Sequence, residues 1–475
     1  MISFRRLGGL ENVAEFEATC REVGAHLPVD PVLEPAGPLS TRFEVAGRRV
    51  GNRFAILPME GWDGTELGAP TDLTRRRWAR FGAGGAKLIW GGEAFAVRQD
   101  GRANPNQLVI NETNLREIVE LRDLLVSEHD RARGNTSDLL VGMQLTHSGR
   151  WARPNRKDLL EPLVAYHHPN LDARHAAQPG RVMTDDEIDF LVDDFIRAGV
   201  LAQKAGFDFV DIKHCHGYLG HELLSAIGRP GRYGGDLENR ARFLVSVAQG
   251  LQAAAPGLLL GVRLSIYDAV PFRPGEGGTG VPEPHSGASY GFAFGGDGTG
   301  TGFSLEEPAA FLRIARDAGV SMVCTTAGSP YYTPHLQRPA AVPPSDGYLP
   351  PEDPLAGVAR QIEATAWLKA HVPGLVWVGS AYTYLQEWLG VVGQAAVRRG
   401  MVDSVGLGRM ALSYPDLPAD LLDGRGHDRR KVCRTFSDCT SAPRRGMVSG
   451  CYPLDPLYRE RPEALVLRHA RQRQG

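Results

Sequence analysis

Residues 184–218, TDDEIDFLVDDFIRAGVLAQKAGFDFVDIKHCHGY, contain an amphipathic helix followed at once by a buried strand. Thr184 and Glu187 have the spacing of a capping box, which predicts that the helix begins at this threonine. The apolar positions that follow recur at helical spacing and form one stripe: Ile188, Leu191, Val192, Phe195 and Ala198. Gly206 is predicted to end the helix, and residues 207–212 have the length and β-rich composition of a buried strand.

The same alternation of short strand and helix recurs from about residue 50 to residue 410. Eight apolar segments read as strands: 53–58, 87–90, 139–145, 207–212, 258–265, 321–326, 375–380 and 403–408. The helices predicted between them are 74–82, 113–130, 184–205, 236–254, 304–318, 354–371 and 383–399. This order predicts an α/β fold, a closed (β/α)8 TIM barrel. A doubly wound open sheet is the alternative, but no G-x-G-x-x-G follows the first strand, which weighs against it.

The barrel is predicted over residues 47–425, with an N-terminal extension (residues 1–46) and a C-terminal extension (residues 426–475). We expect both extensions to cover the barrel. A glycine-rich insertion over residues 274–302 follows the fifth strand, where barrels carry loops above the active site. Because this insertion is too rich in glycine to form a helix, we expect a mobile lid or a partly disordered segment.

Composition narrows the class of function. Of the 475 residues, 42% are hydrophobic and 23% are charged, which is typical of a globular protein. The formal net charge of −2 gives no attraction for nucleic acid or an anionic membrane, so a small-molecule substrate is expected. No run of 18 apolar residues occurs, and the N-terminal residues carry charges where a signal peptide needs an apolar centre. These features predict a cytoplasmic protein, and they leave a homo-oligomer open.

Candidate site residues follow the predicted strands at the end where a barrel places its active site. Those after the first five strands are Pro58, Met59, Glu60, Gly92, Ala94, Gln144, Lys213, His216, Tyr218 and Arg263. Strands seven and eight end in Gly379, Ser380, Gly408 and Arg409. Small residues let backbone N–H groups approach an anion, and a guanidinium can bind it bidentately. A phosphate site is therefore predicted at the ends of strands seven and eight.

Several motifs resemble the old yellow enzyme family of FMN-dependent oxidoreductases over about residues 50–425. They are NRFAILPM (52–59), GMQLTHSGR (142–150), VDIKHCHGYL (210–219) with YGGDLENRARF (233–243), GVRLS (261–265) and SVGLGRMALSYPDLP (404–418). The resemblance implies an FMN cofactor and NADH or NADPH as the reductant. It also implies reduction of an activated alkene, an enone or enoate, by hydride transfer from the flavin N5 atom.

The resemblance implies a place for each candidate around the flavin. Pro58 and Met59 would lie along the isoalloxazine ring, Gln144 at its pyrimidine edge, and Arg263 near N1 and O2. The phosphate would be bound by Ser380, Gly408 and Arg409, next to Gly379. Gly92 or Ala94 would lie near the N5 and O4 edge.

Lys213, His216 and Tyr218 match the family's three catalytic positions. In the family the first two bind the carbonyl oxygen of the substrate, and the tyrosine protonates carbon. Histidine is usual at the first position, so Lys213 departs from the pattern. This lysine can instead bind a carboxylate or phenolate, act as a base, or pair with Asp211 or Glu222.

The sequence also gives an expectation for Glu60 and one for His214. Glu60 also departs from the family pattern, because a carboxylate against the flavin would oppose its reduction. We therefore expect Glu60 to point toward substrate or protein. His214 is expected to pack in the core.

Two other functions remain open. The first is FMN-dependent oxidation of an amine or N-methyl group, as in the related trimethylamine dehydrogenase. The second is a non-flavin lyase that uses Lys213 as a Schiff-base nucleophile. A colourless protein trapped by borohydride with its substrate would indicate the lyase.

The C-terminal cysteines resemble part of an iron–sulfur loop. Longer relatives such as 2,4-dienoyl-CoA reductase bind a [4Fe-4S] cluster through four cysteines. The segment CRTFSDCTSAPRRGMVSGC (433–451) has three, and Phe436 stands where another ligand would fall. The spacing therefore predicts neither a [4Fe-4S] cluster nor another metal site.

Overall fold

Eight parallel strands close into a barrel in a computed structural model that describes residues 4–178 and 180–472. They are β1 Phe54–Ile56, β2 Leu88–Ile89, β3 Leu140–Thr146, β4 Phe209–Ile212, β5 Leu259–Ser265, β6 Met322–Thr326, β7 Val376–Gly379 and β8 Ser404–Leu407. Each strand pairs with the next, and β8 pairs with β1 to complete the ring. The predicted (β/α)8 barrel is confirmed, and every strand overlaps its predicted segment.

The helices surround the barrel in the predicted order. They are α1 Asp72–Ala83, α2 Leu115–Arg133, α3 Asp185–Lys204, α4 Leu237–Ala254, α5 Glu306–Asp317, α6 Pro354–His371, α7 Leu389–Arg398, α8 Arg409–Ser413 and α9 Leu417–Leu422. The capping box of α3 is present, with reciprocal hydrogen bonds between Thr184 and Glu187. The predicted seventh helix begins later than expected, because residues 382–388 form 3-10 turns and Gln386 adopts a φ of 55°.

The barrel interior is filled by apolar side chains from alternate strand positions. They are Ala55, Leu57, Leu88, Trp90, Leu140, Phe209, Met322, Cys324 and Val378. Val45 and Val50 join this cluster from a hairpin formed by Phe43–Val45 and Arg48–Val50. The predicted boundary at residue 46 therefore lies in the turn of this hairpin, whose two valines contribute to the core.

Short elements connect and extend the barrel. They are the helices Val13–Glu22, Pro169–Arg174, Leu219–Leu224 and Pro334–Gln337, and the strands Ala94–Ala96, Leu163–Val164, Arg181–Val182, Phe272–Pro274 and Gly280–Pro282. The N-terminal helix packs beside the barrel, where Phe16 stacks on Trp388 at a centroid distance of 5.1 Å. Within residues 4–178 and 180–472, no helix is long and apolar enough to cross a membrane.

The glycine-rich insertion is packed and not partly disordered, which corrects that expectation. Its hairpin pairs Phe272–Pro274 with Gly280–Pro282. Tyr290 and Phe294 are buried in the main core, and the Tyr290 hydroxyl lies 2.9 Å from Nε2 of His168. These buried aromatic side chains hold the segment in place even though it forms no α-helix, as predicted.

The C-terminal extension folds back onto the barrel. It contains α10 Asp438–Arg444 and two further helices, Pro456–Arg459 and Glu463–Gln472. The buried carboxylate of Asp455 accepts hydrogen bonds from both Nη atoms of Arg76 in α1, at 2.9 and 2.8 Å. The backbone N–H of Ser449 donates to the carbonyl of Gly61 beyond β1 at 2.8 Å. These contacts bring part of the extension to the mouth of the barrel.

Candidate active site

A cavity of about 310 Å³ lies at the carboxyl ends of the barrel strands. Residues after β1, β4, β6, β7 and β8 line it, together with Arg263 of β5 and side chains of the C-terminal extension. The predicted residues in its wall are Pro58, Met59, Glu60, His216, Tyr218, Arg263, Ser380, Gly408 and Arg409. Most of the candidates named from the strand ends therefore meet in one place.

One end of the cavity is rich in guanidinium groups. Arg409 follows β8, and its Nη2 donates to the carbonyl of Pro339 at 2.9 Å. Arg338 lies next to it, and burial together with the neighbouring Arg444 and Arg409 lowers the pKa of Arg338 to about 9. In the described part of the chain, Nη1 of Arg409 and Nη2 of Arg338 are buried without a hydrogen-bond partner.

These unpaired nitrogens fit an anion. A buried cationic donor without a partner loses its solvation, and a phosphate group would restore both charge and hydrogen bonds. Ser380 and Gly408 contribute to the same end of the cavity. The residues present therefore fit the phosphate of the predicted cofactor.

Arg263 of β5 also lines the cavity. Its backbone N–H donates to the buried carboxylate of Asp211 at 2.6 Å. Its Nε atom is also buried without a partner in the described residues. This arrangement fits a ring with an electron-rich edge, as predicted for the pyrimidine end of a flavin.

His216 and Tyr218 line the same cavity after β4. His216 has a φ of 69°, and its backbone is held by Ser265 at 3.1 Å and by Ser329 at 2.8 Å. Gln337 Nε2 lies 3.2 Å from Nε2 of His216. Burial, with added repulsion from Arg263 and Lys213, holds the pKa of His216 well below its usual value. The imidazole is therefore neutral near pH 7.

Tyr218 is paired with a second tyrosine. Its hydroxyl lies 3.0 Å from that of Tyr331, whose ring stacks on Trp151 at 4.2 Å with an interplanar angle of 8°. Burial, followed by the nearby Glu60 carboxylate, raises the pKa of Tyr218 well above its usual value. The tyrosine therefore retains its proton near neutral pH.

Lys213 lies behind the cavity wall. Its ammonium contacts Glu60 Oε1 at 2.9 Å and stands 4.0 Å from the centroid of the Tyr218 ring. The other Glu60 oxygen accepts from Trp62 Nε1 at 2.7 Å. Glu60 was expected to point toward substrate or protein; its carboxylate is bound by protein side chains, and the residue also lines the cavity. The proposed pairing of Lys213 with Asp211 or Glu222 is wrong.

The alternative partners of Lys213 are engaged elsewhere. Asp211 accepts from Gln144 Nε2 at 2.6 Å and from Trp90 Nε1 at 2.7 Å. Glu222 forms an ion pair with Arg150. These buried carboxylates thus stabilise the barrel wall instead of neutralising Lys213.

Four predicted cofactor residues lie outside the cavity wall. They are Gly92, Ala94, Gln144 and Gly379. The Gln144 amide is drawn to Asp211, while Gly92 accepts from the backbone of Met59 at 2.8 Å. Ala94 lies in a short strand beside β3, and a Cβ on Gly379 would meet the Tyr382 ring at 3.0 Å. The contacts observed for these four residues are with other parts of the barrel and its loops.

Histidine and cysteine residues near the site have packing roles. His214 lies between Phe243 and Phe311, each at 5.9 Å between ring centroids, which confirms its expected place in the core. Cys433, Cys439 and Cys451 line one small pocket beside Arg409. Among the described residues, no group of three or more His, Cys, Asp or Glu side chains is arranged to hold a metal ion.

Sequence reasoning missed several side chains of the cavity wall, and three of them bear directly on the proposed chemistry. Trp62 and Tyr331 provide aromatic surface, and Arg338 provides a cation. The Tyr331–Tyr332 pair after β6 was the available signal, because polar aromatic residues beyond a barrel strand face the mouth. Arg338 gave no comparable signal, since it lies 12 residues after Thr326, just beyond the short helix Pro334–Gln337.

A closed barrel with unpartnered arginine nitrogens and paired tyrosines at its mouth fits the class of barrel enzymes whose active site lies at the strand ends. The chain belongs to the NADH:flavin oxidoreductase / NADH oxidase family, whose model matches residues 41–279. The family resemblance predicted from the motifs is therefore confirmed, and the protein is an enzyme of the old yellow enzyme type.

Individual relatives cover part of this chain. It is 31% identical over 236 residues to an NADPH dehydrogenase of Bacillus velezensis, covering 48% of this chain and 64% of the relative. It is 26% identical over 248 residues to a Rhizobium meliloti protein named "Probable N-methylproline demethylase", covering 52% of this chain and 34% of the relative. The chain thus spans 34% to 64% of the length of these two curated relatives.

Solved structures share the fold. The old yellow enzyme homologue from Zymomonas mobilis superposes with a TM-score of 0.56 at 21% identity, over 81% of this chain and 92% of that chain. This likeness supports the barrel architecture at low sequence identity.

Proposed function

We propose that this protein is an FMN-dependent oxidoreductase that uses NADH or NADPH to reduce the carbon–carbon double bond of an enone or enoate. The observation that carries the proposal is the shared cavity. It brings unpartnered arginine nitrogens together with His216 and the Tyr218–Tyr331 hydroxyl pair in one space. FMN, when bound, supplies a ring that accepts hydride from the nicotinamide and passes it to the β-carbon of the alkene.

Residues of this chain would hold the cofactor at its phosphate and at its ring. Ser380, Gly408 and Arg409 line the anion site that would bind the phosphate. Arg263 would place positive charge beside the pyrimidine edge, where negative charge collects on reduction. Pro58 and Met59 provide the adjoining wall of the cavity.

His216 and its neighbours would bind the substrate carbonyl. A neutral imidazole donates one hydrogen bond, and such a donor stabilises the negative charge that develops on the oxygen. The positive φ of His216 and the two serine contacts to its backbone fix the direction of this ring. Binding of the carbonyl would therefore need little rearrangement of the protein.

Tyr218 would deliver the proton that completes the reduction. It remains protonated near neutral pH, as a general acid requires. A hydrogen bond donated by Tyr331 would turn the Tyr218 proton toward the cavity and stabilise the phenolate left after transfer.

The ion pair of Lys213 weighs against the Schiff-base alternative. A nucleophilic lysine must be neutral and must reach the substrate. Here its ammonium is bound to Glu60 and lies behind the side chains that line the cavity. We therefore assign Lys213 the role of positioning Glu60 and the Tyr218 ring.

The charge of the cavity favours an anionic acceptor such as an enoate. Its lining includes six cationic side chains, Arg153, Lys157, Arg263, Arg338, Arg409 and Arg444. It includes two carboxylates, and these are paired, Glu60 with Lys213 and Asp346 with Arg444. Cations that do not contact the cofactor would attract a negatively charged substrate.

An anaerobic titration tests the proposal. We expect the purified protein to show flavin absorption, to bleach with NADH or NADPH, and to regain its colour on addition of an enone or enoate. A cinnamate-type acid and its methyl ester differ in charge. Comparing how fast each reoxidises the reduced protein therefore tests whether the cavity favours an anionic acceptor. A protein without flavin absorption after incubation with FMN, or a reduced form that no activated alkene reoxidises, would refute the proposed reaction.

One observation favours a second candidate, oxidation of an N-methyl amine. The rings of Trp62 and Tyr331 line the cavity, and aromatic faces bind ammonium groups. A Rhizobium meliloti relative carries a demethylase name. Bleaching of the flavin by N-methylproline alone, without a nicotinamide, would support this second function.

A further inference from the structure

Three arginines converge at the phosphate end of the cavity. Arg338, Arg409 and Arg444 all line it, and burial together with the other two arginines lowers the pKa of Arg338. Arg444 is paired with Asp346, so its charge is balanced. Arg338 and Arg409 each retain one buried, unpartnered nitrogen within the described part of the protein. The sequence predicted one guanidinium at the anion site, that of Arg409. The structure places that of Arg338 beside it.

The C-terminal extension holds Arg338 in this place. Nη1 of Arg338 donates to the hydroxyl of Thr440 in α10. The same extension is joined to the loop after β6 by further hydrogen bonds. The Ser441 hydroxyl accepts from the backbone of Ser345 at 3.0 Å, and the Ser437 hydroxyl donates to the carbonyl of Val342 at 2.6 Å. With Nη1 engaged, Nη2 remains for a ligand.

We propose that Arg338 is a second guanidinium of the phosphate-binding site, oriented by Thr440, and that the C-terminal extension thereby contributes to retention of FMN. This inference rests on the proposed FMN cofactor. The inference adds to the cofactor assignment, because neither Arg338 nor Thr440 lies within residues 41–279, which match the family model. A phosphate that is largely dianionic near pH 7 balances the charge of two guanidinium groups and accepts hydrogen bonds from both.

Comparison of FMN with riboflavin isolates this interaction. Riboflavin has the same ring and lacks the phosphate, so it reports every contact except the proposed one. For R338Q we expect the Kd for FMN to rise roughly ten- to hundredfold, as for loss of a charged hydrogen bond, while the Kd for riboflavin is unchanged. Quenching of flavin fluorescence on titration of the apoprotein measures both constants without any assay of activity.

Two further variants and a matched control complete the test. T440V keeps the shape of residue 440 and removes the hydroxyl, so it should weaken FMN binding in the same direction by a smaller factor. R338K should recover part of the loss, because it restores the charge without the planar fork. R430Q removes an exposed arginine of the same extension that pairs with Asp428 and lies outside the cavity wall, and it should leave both constants unchanged.

The outcomes separate this inference from the proposed function. If wild-type protein binds FMN and R338Q binds it equally well, the role of Arg338 is refuted while the flavin enzyme stands. If R338Q weakens FMN and riboflavin by the same factor, Arg338 supports the fold or the ring, and its phosphate contact is again refuted. If the wild-type protein binds neither flavin, both proposals fail.

Discussion

At the scale of single residues, the Lys213–Glu60 ion pair explains two departures from the family pattern together. A lysine where histidine is usual and a glutamate where a small side chain is usual would each be costly alone. A buried ammonium and a carboxylate near a flavin are both unfavourable without a partner. In this structure each supplies the other's counter-charge, at 2.9 Å, with side-chain exposures of 2% and 17%.

The first prediction concerns this pair. E60Q leaves the Lys213 ammonium buried without its counter-ion, so we expect the free energy of unfolding to fall by about 3 kcal/mol. Urea denaturation monitored by circular dichroism measures the change. The double variant E60Q/K213M removes both charges and should recover much of the stability, and equal loss in the single and double variants would contradict the argument.

The second prediction concerns the tyrosine pair. Y218F removes the proposed proton donor, so reoxidation of the reduced protein by an enone should slow by roughly 100-fold or more, the usual contribution of general acid catalysis. Reduction by NADPH should keep its rate, because no proton from Tyr218 is needed there. Anaerobic stopped-flow spectroscopy resolves the two half-reactions.

Tyr331 offers a graded comparison in the same experiment. Y331F retains the donor and loses the hydrogen bond that orients it, so we expect an intermediate rate, about tenfold below wild type. If Y218F slowed both half-reactions alike, the tyrosine would be acting on cofactor binding, and its assignment as the acid would be withdrawn.

At the scale of elements, a buried carboxylate of the C-terminal extension contacts the first barrel helix. Asp455 is 1% exposed, receives two hydrogen bonds from Arg76 of α1, and also forms an ion pair with Arg80. It caps the helix Pro456–Arg459 by accepting from the backbone of Leu457 at 3.1 Å. One carboxylate therefore connects the C-terminal extension to the first barrel helix.

The third prediction tests this connection. D455N removes the charge that balances two arginines, and we expect a loss of about 3 kcal/mol in stability and faster proteolytic cleavage within residues 426–475. Limited trypsin digestion followed by mass spectrometry locates the cuts. D428N, at a more exposed aspartate of the same extension, is the control and should digest as wild type does.

The elements also show where prediction from sequence works. The strands were recognised because each is a short apolar segment buried on both faces, and α3 because its capping box and apolar stripe are local signals. The break at Gln386 was missed, since a positive φ at a glutamine depends on the packing around it. The insertion was expected to be a mobile lid or partly disordered, because its aromatic contacts are made with residues distant in sequence and leave no local pattern.

At the scale of the whole molecule, several histidines are buried in the neutral state. Burial lowers the pKa of His129, His214 and His335 to about 4, and that of His168 and His221 to about 3. In the unfolded chain each has a pKa of about 6.5. Between these values the unfolded state binds more protons than the folded state.

The fourth prediction follows from this difference. The stability contributed by the neutral histidines is present above about pH 6.5 and is lost progressively as the pH falls toward 4. Urea denaturation at pH 7.5, 6.5, 5.5 and 4.5 should therefore give a decreasing free energy of unfolding. H214L removes one of these groups and should make the decline less steep, whatever its effect on stability at pH 7.5. An unchanged slope would contradict the assignment.

The sequence by itself determined the barrel, the mouth at its strand ends and the family. These properties depend on local patterns: apolar strands, helix caps, and short motifs whose order along the chain follows the order of strands around the ring. They also sufficed to name His216, Tyr218, Arg263, Ser380, Gly408 and Arg409, because residues just beyond parallel strands must converge at one end.

Only the tertiary structure decided which of the candidates face the cavity and what each one contacts. It turned Gln144 toward Asp211, placed Lys213 behind Glu60, and brought Arg338 and Thr440 together across 102 positions of sequence. The physical reason is that a buried charge or amide adopts the orientation in which its hydrogen bonds are satisfied. Those partners lie on other strands and in the extension, where no local pattern of the sequence reveals them.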